Sequence, residues 1–210
     1  MHIPDGLITD PTQLIVYTAI YIILMIFMLN RYRKNHTEKD LPRIALFAVA
    51  IVIVQLIEIP LPVPACVHIS LITVMALYDL EASTIVYTFV TIIQAFLGEG
   101  GISSMGINLL NLAILAPLIA FNLYKILSNY DKNVALFVSG FGTITLLGVI
   151  ASIEYAIAGV YPITFGLTVI TGIEALVGIL EGFVTIFVMR ALLKVKPELV
   201  PVLTENGEKK

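Results

Sequence analysis

This chain is poor in the residues that usually build catalytic or disulfide-linked sites. Its 210 residues include one cysteine, Cys66, and three histidines. A single cysteine excludes an intrachain disulfide framework and a cysteine-rich metal site. No glycine-rich loop ending in Lys-Ser or Lys-Thr occurs, so the chain lacks the motif with which it could itself use ATP. A HExxH motif is missing, and His68 near Ser70 is too slight a pairing to indicate a hydrolase. We therefore expect neither enzymatic activity nor a nucleic-acid partner.

Apolar residues, in contrast, are abundant and come in long runs. They make up 59% of the chain, which is typical of a polytopic membrane protein. About twenty apolar residues span a bilayer as a helix, and the sequence predicts an all-α bundle of about seven such helices. The third is short, and is tilted, partly broken or merged with the fourth through the polar turn at Asp79. The predicted segments are 12–30, 42–59, 68–79, 83–98, 105–127, 134–158 and 166–193.

Positive charge is confined to alternate connections between these segments. All 12 Lys and Arg residues surround the first connection, flank the fifth or lie at the end of the last segment and beyond it. Loops rich in Lys and Arg stay in the cytoplasm, so the N-terminus is predicted to lie outside and the C-terminus inside. That arrangement requires an odd number of spans. The segments without any Lys or Arg are 1–11, 60–67, 98–104 and 159–165.

These features predict a single multi-pass domain in the cell membrane. We assign residues 1–196 to the transmembrane domain, with an N-terminal loop at 1–11, and residues 197–210 to a polar cytoplasmic tail. The first eleven residues lack the basic stretch of a cleavable signal peptide, so Met1 is expected to remain the mature N-terminus.

The N-terminal pair Met1-His2 is a potential chelator of a transition metal. The terminal amine, the backbone nitrogen of His2 and its imidazole Nδ1 can close two fused rings on one ion. Three nitrogens in a plane suit Cu(II) or Ni(II), with Co(II) close behind. A second histidine would complete a square. His36 falls in the basic cytoplasmic stretch, whereas His68 follows a proline-rich connection on the predicted outer side. The predicted metal ligands are therefore Met1, His2 and His68.

A second polar cluster occupies residues 97–115, LGEGGISSMGINLLNLAIL. Its glycines and serines predict a compact outer loop, since irregular backbone at membrane depth survives only when buried in protein or lining a cavity. Asn108 and Asn111 follow on one helix, three residues apart. Hydrogen bonding between helices would explain both. Our preferred interpretation is that they orient the imidazoles and brace the N-terminus, as supports outside the ligands. Asp5 and Glu99 are candidates for the same role.

Acidic residues also fall inside predicted helices, at Glu154, Glu174 and Glu181. Such groups are costly unless they face a cavity or a partner. They indicate either a proton or cation relay or polar contacts within the bundle. We favour polar contacts for Glu181 and leave Glu174 open. Glu58 and Glu99, near the predicted outer face, could attract cations or lie in solvent.

Three stretches resemble a known family. MHIPDGLI, QAFLGEGGISSMGINLLNLAI and EGFVTIFVMR are similar to the CbiM/NikM family, the substrate-binding S components of energy-coupling factor (ECF) transporters for cobalt and nickel. The resemblance spans essentially the whole chain. It implies a seven-helix membrane protein whose N-terminal loop plugs its outer side. It also implies a near-planar nitrogen site from the terminal amine, His2 and a later histidine, which corresponds to His68.

One departure from the family concerns the approach to His68. Nickel-type members have a run of Gly, Thr and Ser there, whereas this chain has the bulkier PVPACVH. The choice between nickel and cobalt therefore stays open. Cys66 is either a small buried side chain or a soft ligand near the metal.

The resemblance implies a function in metal uptake. The S component captures Co²⁺ or Ni²⁺ outside, as a transported substrate and not as a permanent cofactor, and supplies cobalamin or nickel-enzyme synthesis. Its implied partners are a transmembrane coupling (T) protein, ATP-binding (A) subunits and a small accessory membrane (N) protein. Because binding displaces protons, affinity is expected to rise between about pH 6 and 8. The alternative is a proton-coupled secondary carrier that uses Glu154 and Glu174, although no inverted repeat supports it.

Overall fold

The structure is a computed structural model and describes residues 2–57, 59–60 and 66–204. Four sequence-based predictions lie outside the described residues. They concern the amine of Met1, Glu58, the side chain of Cys66 and the end of the tail, residues 205–210.

Long apolar helices dominate the described part of the chain, which confirms the predicted polytopic α-helical fold. Five of them, α1, α4, α5, α6 and α7, are long and apolar enough to cross a membrane. Helix α2 has 15 residues and α3 only 7. The helices are α1 (Pro11–Asn35), α2 (Leu41–Gln55), α3 (Ile72–Tyr78), α4 (Leu80–Leu97), α5 (Met105–Leu127), α6 (Lys132–Ile157) and α7 (Ile163–Val195).

Short elements connect and extend these helices. Two-residue strands, β1 (Ile59–Pro60) and β2 (Cys66–Val67), pair antiparallel before α3. Three-residue 3₁₀ turns are formed by Glu38–Asp40 and Pro197–Leu199, and one helical turn, α8, by Pro201–Thr204. Wider π turns interrupt α5 at Leu110–Leu115 and α7 at Gly166–Ile170.

Helix α3 is shorter than the predicted segment 68–79, and both its ends have a local cause. It begins at Ile72 because Leu71 adopts a left-handed backbone with φ 57°, which a helix cannot include. It ends at Asp79, whose backbone is extended and whose carboxylate accepts a hydrogen bond from the Ala82 amide at 2.7 Å. Asp79 therefore caps α4 and breaks it from α3. Because α3 begins only at Ile72, His68 lies in an irregular segment and not in a helix.

Helices α6 and α7 pack closely along their glycines. A Cβ atom built on Gly140 would lie 2.8 Å from the Cα of Gly182 and 2.9 Å from the carbonyl oxygen of Glu181. Small residues allow such an approach, which strengthens helix contacts inside a membrane. Other faces carry large exposed apolar side chains, such as Ile23 on α1 at 65% and Phe187 on α7 at 75%. In a bilayer these faces contact lipid.

The predicted polar tail begins with residues that pack against the bundle. Val200 and Leu203 are buried in an apolar cluster with Leu77, Tyr124 and Met189. The Lys132 ammonium donates a hydrogen bond of 2.5 Å to the carbonyl oxygen of Leu203. Residues 197–204 are therefore partly apolar and attached to the helices.

The α6–α7 contact predicts unequal effects of two glycine substitutions. Gly140→Ala should destabilise the protein by about 1–3 kcal/mol, because the new methyl group overlaps the backbone of α7. Gly172→Ala is the matched control, since a Cβ there meets nothing within 4 Å; it should cost less than about 1 kcal/mol or stabilise α7. Thermal unfolding in detergent measures both. Equal melting temperatures for the two variants would contradict the close packing.

Candidate metal site

The N-terminal segment folds back onto the start of α5, where Asn108 holds its backbone. The Ile3 amide donates to Asn108 Oδ1 at 2.8 Å, and Asn108 Nδ2 donates to the Ile3 carbonyl at 2.9 Å. The Ser104 hydroxyl donates to the same carbonyl at 2.6 Å. The Ile3 side chain is buried in an apolar cluster with Ile8 and Tyr155. His2 directly precedes Ile3, so the contacts that hold Ile3 also set the position of His2.

Asp5 attaches the same segment to the loop between α4 and α5. Its carboxylate accepts hydrogen bonds from the Ile102 amide at 3.1 Å, the Ser103 amide at 2.7 Å and the Ser103 hydroxyl at 2.6 Å. The Ser103 hydroxyl is the main cause that lowers the pKa of Asp5. Asp5 therefore stays charged at neutral pH and acts as a fixed acceptor for the loop.

Glycines make room for the N-terminal segment in that loop. Gly100 has φ +86°, and a Cβ atom there would lie 3.2 Å from the Cβ of His2. A Cβ on Gly101 would overlap Asp5 and the Ser104 hydroxyl. The sequence GEGG is thus explained by close approach of the N-terminal segment as well as by backbone conformation.

His2 and His68 come together at this place, although 66 residues separate them in the sequence. Their ring centroids are 5.6 Å apart and the rings are tilted by 40°. His2, His68 and Glu99 each offer one ligand atom, and these atoms lie within 4.8 Å of one another. The structure therefore gathers three of the predicted site residues into one cluster with donors suited to a metal ion.

Gln94 determines which nitrogen of His2 is exposed to a ligand. Gln94 Nε2 donates to the Glu99 carboxylate at 3.1 Å, and Gln94 Oε1 lies 3.0 Å from His2 Nε2. An ionised carboxylate only accepts, so the Gln94 amide must present its oxygen to His2. His2 Nε2 is then the donor, and in the neutral ring the lone pair belongs to Nδ1. Nδ1 is the atom that the proposed chelate ring requires.

His68 has a matching arrangement. Its Nε2 lies 3.6 Å from Glu99 Oε2, which favours a proton on Nε2. Its Nδ1 is buried and has no hydrogen-bond partner among the described residues. An unpaired buried acceptor is costly, and a metal ion would satisfy it. A proton on Nε2 leaves Nδ1 of His68 as the lone-pair nitrogen, as in His2.

Burial keeps both imidazoles neutral. Loss of solvent lowers the pKa of His2 well below its ordinary value and lowers the pKa of His68 to about 4. At His2 the hydrogen bond with Gln94 opposes the shift, and at His68 the Ile69 backbone opposes it, but desolvation prevails at both rings. In the range from about pH 6 to 8 neither ring carries the second proton that a metal ion would have to displace. Any rise in metal affinity there must come from other groups.

The remaining sequence candidates lie in other surroundings. Asn111 Nδ2 donates to the Glu154 carboxylate at 2.9 Å, so this hydrogen bond is with the buried acid and not with a histidine. His36 lies 2.5 Å from Asp79 and stacks on Tyr32, at the end of the bundle that carries the basic residues. The backbone of Glu154 also accepts a hydrogen bond from Gln13 at 3.1 Å.

Sequence reasoning missed Gln94. The residue is buried near the end of α4, inside the apolar stretch TIIQAFL. A single amide in such a stretch, five residues before Glu99, is a signal that could have directed attention to it. Its role became visible only when the fold brought His2 beside it.

Comparison with known proteins yields a consistent set of relatives. A family model described as the cobalt uptake substrate-specific transmembrane region, CbiM, matches residues 2–199. The cobalt transport protein CbiM of Thermosipho melanesiensis is 27% identical over 205 residues, which cover 92% of this chain and 87% of that protein. A protein of Archaeoglobus fulgidus with the provisional name of fused nickel transport protein NikMN is 26% identical over 212 residues, 99% of this chain and 70% of that protein.

A solved structure described as a transition metal transporter has the same fold. It superposes with a TM-score of 0.83 at 24% sequence identity, and the match covers 93% of both chains. At that identity the likeness supports the arrangement of the helices and carries no statement about the ligands.

The ring environments predict the titration of the metal-free protein. Imidazole NMR should show His68 titrating at about pH 4, because burial disfavours the charged ring. His2 should remain neutral over the same range, with its proton on Nε2. Protonation in the unfolded state, where the ordinary pKa is about 6.5, then lowers stability as pH falls from about 6.5 toward 4.

Gln94→Leu is the control variant for the tautomer. It should leave the titration of His68 in place while His2 loses its preference for the Nε2 proton. A His68 titration near pH 6.5 in folded protein, or an unchanged His2 tautomer in the variant, would contradict the described surroundings.

Proposed function

Because the chain belongs to the CbiM family of cobalt uptake substrate-specific transmembrane proteins, we propose that it is the substrate-binding component of an ECF-type importer for Co²⁺ or Ni²⁺. Membership makes the protein a multi-pass component of transition-metal transport and not an enzyme. The metal is its transported substrate. The coupling to an ECF complex and the ligands are the parts that we propose here.

The observation that carries the proposal is the meeting of the His2 and His68 imidazoles with Glu99, each with one ligand atom within 4.8 Å of the others. We assign His2 Nδ1 and His68 Nδ1 as two ligands of the metal. The terminal amine of Met1 and the backbone nitrogen of His2 complete a set of four nitrogens. The amine and the two nitrogens of His2 would form two fused chelate rings with the metal, and His68 Nδ1 would fill the fourth position. Such a planar arrangement suits Ni(II), and Co(II) accepts the same donors.

We assign the neighbouring polar residues to support of these ligands. Gln94 and Glu99 orient the two rings through their Nε2 sides, which raises the basicity of the ligating nitrogens. Asn108 and Asp5 hold the N-terminal loop, residues 1–11, in place over the helices. Glu99 also supplies a negative charge beside a divalent cation. Asn111 acts one step further away, through its bond to Glu154.

The direction of transport follows from the distribution of positive charge. We propose that the N-terminal loop lies outside, that residues 1–196 form the transmembrane unit and that the chain from 197 lies in the cytoplasm. Capture would occur at the outer surface and release inside. The chain has no ATP-binding motif of its own, so it would depend on a T protein and on A subunits. The fused NikMN relative supports an N protein as a further partner.

A proton-coupled secondary carrier remains the alternative. It would use intramembrane acids as mobile carriers of charge. The contacts of Glu154 with Asn111 and of Glu181 with Ser70 support fixed structural roles instead. Transport by the purified chain alone would favour the carrier, whereas dependence on ATP and partner subunits favours the ECF reading.

Metal titration of purified protein tests the ligand set. With a native N-terminus, the protein should bind Ni(II) or Co(II) tightly. One extra residue before Met1 should weaken binding at least about 100-fold, because the terminal amine then lies out of reach. His68→Ala should weaken it to a similar extent. Isothermal titration calorimetry measures the affinity of all three samples. The metal that the native protein binds more tightly is the preferred substrate.

His36→Ala is the matched control, since this histidine lies with Asp79 and Tyr32, away from His2. It should keep the affinity of the unaltered protein. Unchanged binding by the extended protein would exclude the terminal amine, and unchanged binding by His68→Ala would exclude the second imidazole.

A further inference from the structure

Ser70 attaches the segment that carries His68 to the bundle. The Ser70 amide donates to Glu181 Oε2 and the Ser70 hydroxyl donates to Glu181 Oε1, both at 2.9 Å. The Ser70 carbonyl accepts hydrogen bonds from Gln55 Nε2 at 2.8 Å and from the Tyr87 hydroxyl at 2.5 Å. Every polar group of Ser70 is thus used, and its partners belong to three different helices.

Glu181 is the least expected of these partners. Its side chain has 0% exposure in the middle of α7. Among the described residues no Lys or Arg forms a salt bridge with it. A buried carboxylate without a cation is costly unless hydrogen-bond donors surround it. The donors found here are the amide and hydroxyl of Ser70 and the backbone of Leu71, so the acid and the His68 segment depend on each other.

The backbone beyond Ser70 makes this attachment rigid. Leu71 has φ 57° and ψ 13°, a left-handed conformation that non-glycine residues adopt rarely. The Ile72 amide then donates to the Ser70 hydroxyl at 3.2 Å at the start of α3. The chain therefore turns sharply at a fixed point. His68 lies only two residues before that point, and a shift of Ser70 moves its ring.

We infer that Glu181 is a positioning residue for the metal site. It holds Ser70 and thereby sets the distance between the rings of His68 and His2, without touching the metal itself. The inference rests on the proposed function, because it takes His68 to be a ligand. It assigns the intramembrane acid a role in metal affinity and not in proton transfer.

The same contact links the site to the last transmembrane helix. Helix α7 packs on α6 through Gly140 and Gly182, and Glu181 reaches from that contact to Ser70. A movement of α7 relative to α3 would draw Ser70 with it and separate His68 from His2.

A double-mutant cycle tests the inference. Glu181→Gln leaves one acceptor oxygen where the carboxylate has two, so the side chain can no longer accept from both the Ser70 amide and the Ser70 hydroxyl. One of these two bonds must be lost or reversed. Nickel or cobalt affinity should fall about 10–100-fold, the usual effect of losing a group that orients a ligand. In a His68→Ala background the same substitution should change the remaining affinity less than about twofold. Calorimetry on folded, monodisperse protein gives both values.

Glu174→Gln is the matched control, because it removes a second buried carboxylate of α7 seven residues away, where Glu174 packs against Gly148. It should leave affinity nearly unchanged. If Glu181→Gln does not fold, Ser70→Ala replaces it, since this variant keeps the bond from the Ser70 amide to Glu181 and removes only the two bonds of the hydroxyl, with Glu181 and with the Ile72 amide. Its loss of affinity should be smaller and should again vanish in the His68→Ala background.

The outcomes distinguish the positioning role of Glu181 from the assignment of His68 as a ligand. Wild-type affinity in Glu181→Gln, an equal loss in Glu174→Gln, or an undiminished effect in the His68→Ala background would overturn the positioning role. Unchanged binding by His68→Ala alone would overturn the ligand assignment beneath it, and the positioning role with it. A loss that requires His68 supports the inference.

Discussion

Asn108 exchanges two hydrogen bonds with the backbone of Ile3, and the geometry of the whole candidate site depends on that exchange. An N-terminal segment ordinarily frays, since ordering its backbone costs conformational entropy. Here one amide side chain binds the donor and the acceptor of a single peptide residue, and the Ile3 side chain is buried at the same time. Asp5 adds a charged acceptor two residues on. His2 is thereby held beside His68.

The two rings are then specified by a continuous set of contacts. His2 is hydrogen-bonded to Gln94, Gln94 is hydrogen-bonded to Glu99, and the Glu99 carboxylate lies 3.6 Å from His68 Nε2. The carboxylate fixes the orientation of the amide, and the amide fixes the tautomer of the imidazole. Burial keeps both rings neutral. In the proposed site, His2 and His68 would each offer one nitrogen lone pair to the metal.

Much of this arrangement could be predicted from the sequence. Long apolar runs predict the helices, and the confinement of Lys and Arg to alternate connections separates His36 from His68 without any structural knowledge. The features that the sequence did not predict depend on backbone conformation and on contacts between distant segments. The start of α3 was predicted at 68 because apolar character continues there, whereas the left-handed Leu71 sets it at Ile72. Gln94 was missed because its importance comes from His2, which is remote in sequence.

The membrane acids illustrate the same limit. Sequence alone allowed a relay or polar contacts for Glu154 and Glu181. The fold gives each its own partner, Asn111 for the former and Ser70 for the latter. These contacts favour structural roles, and at Glu181 a role that reaches the metal site.

X-ray absorption spectroscopy of nickel-loaded protein tests the central claim most directly. The account predicts a planar set of four nitrogen ligands with the scattering pattern of two imidazoles and no sulfur. A six-coordinate site of oxygen ligands, or a site that includes sulfur, would contradict it.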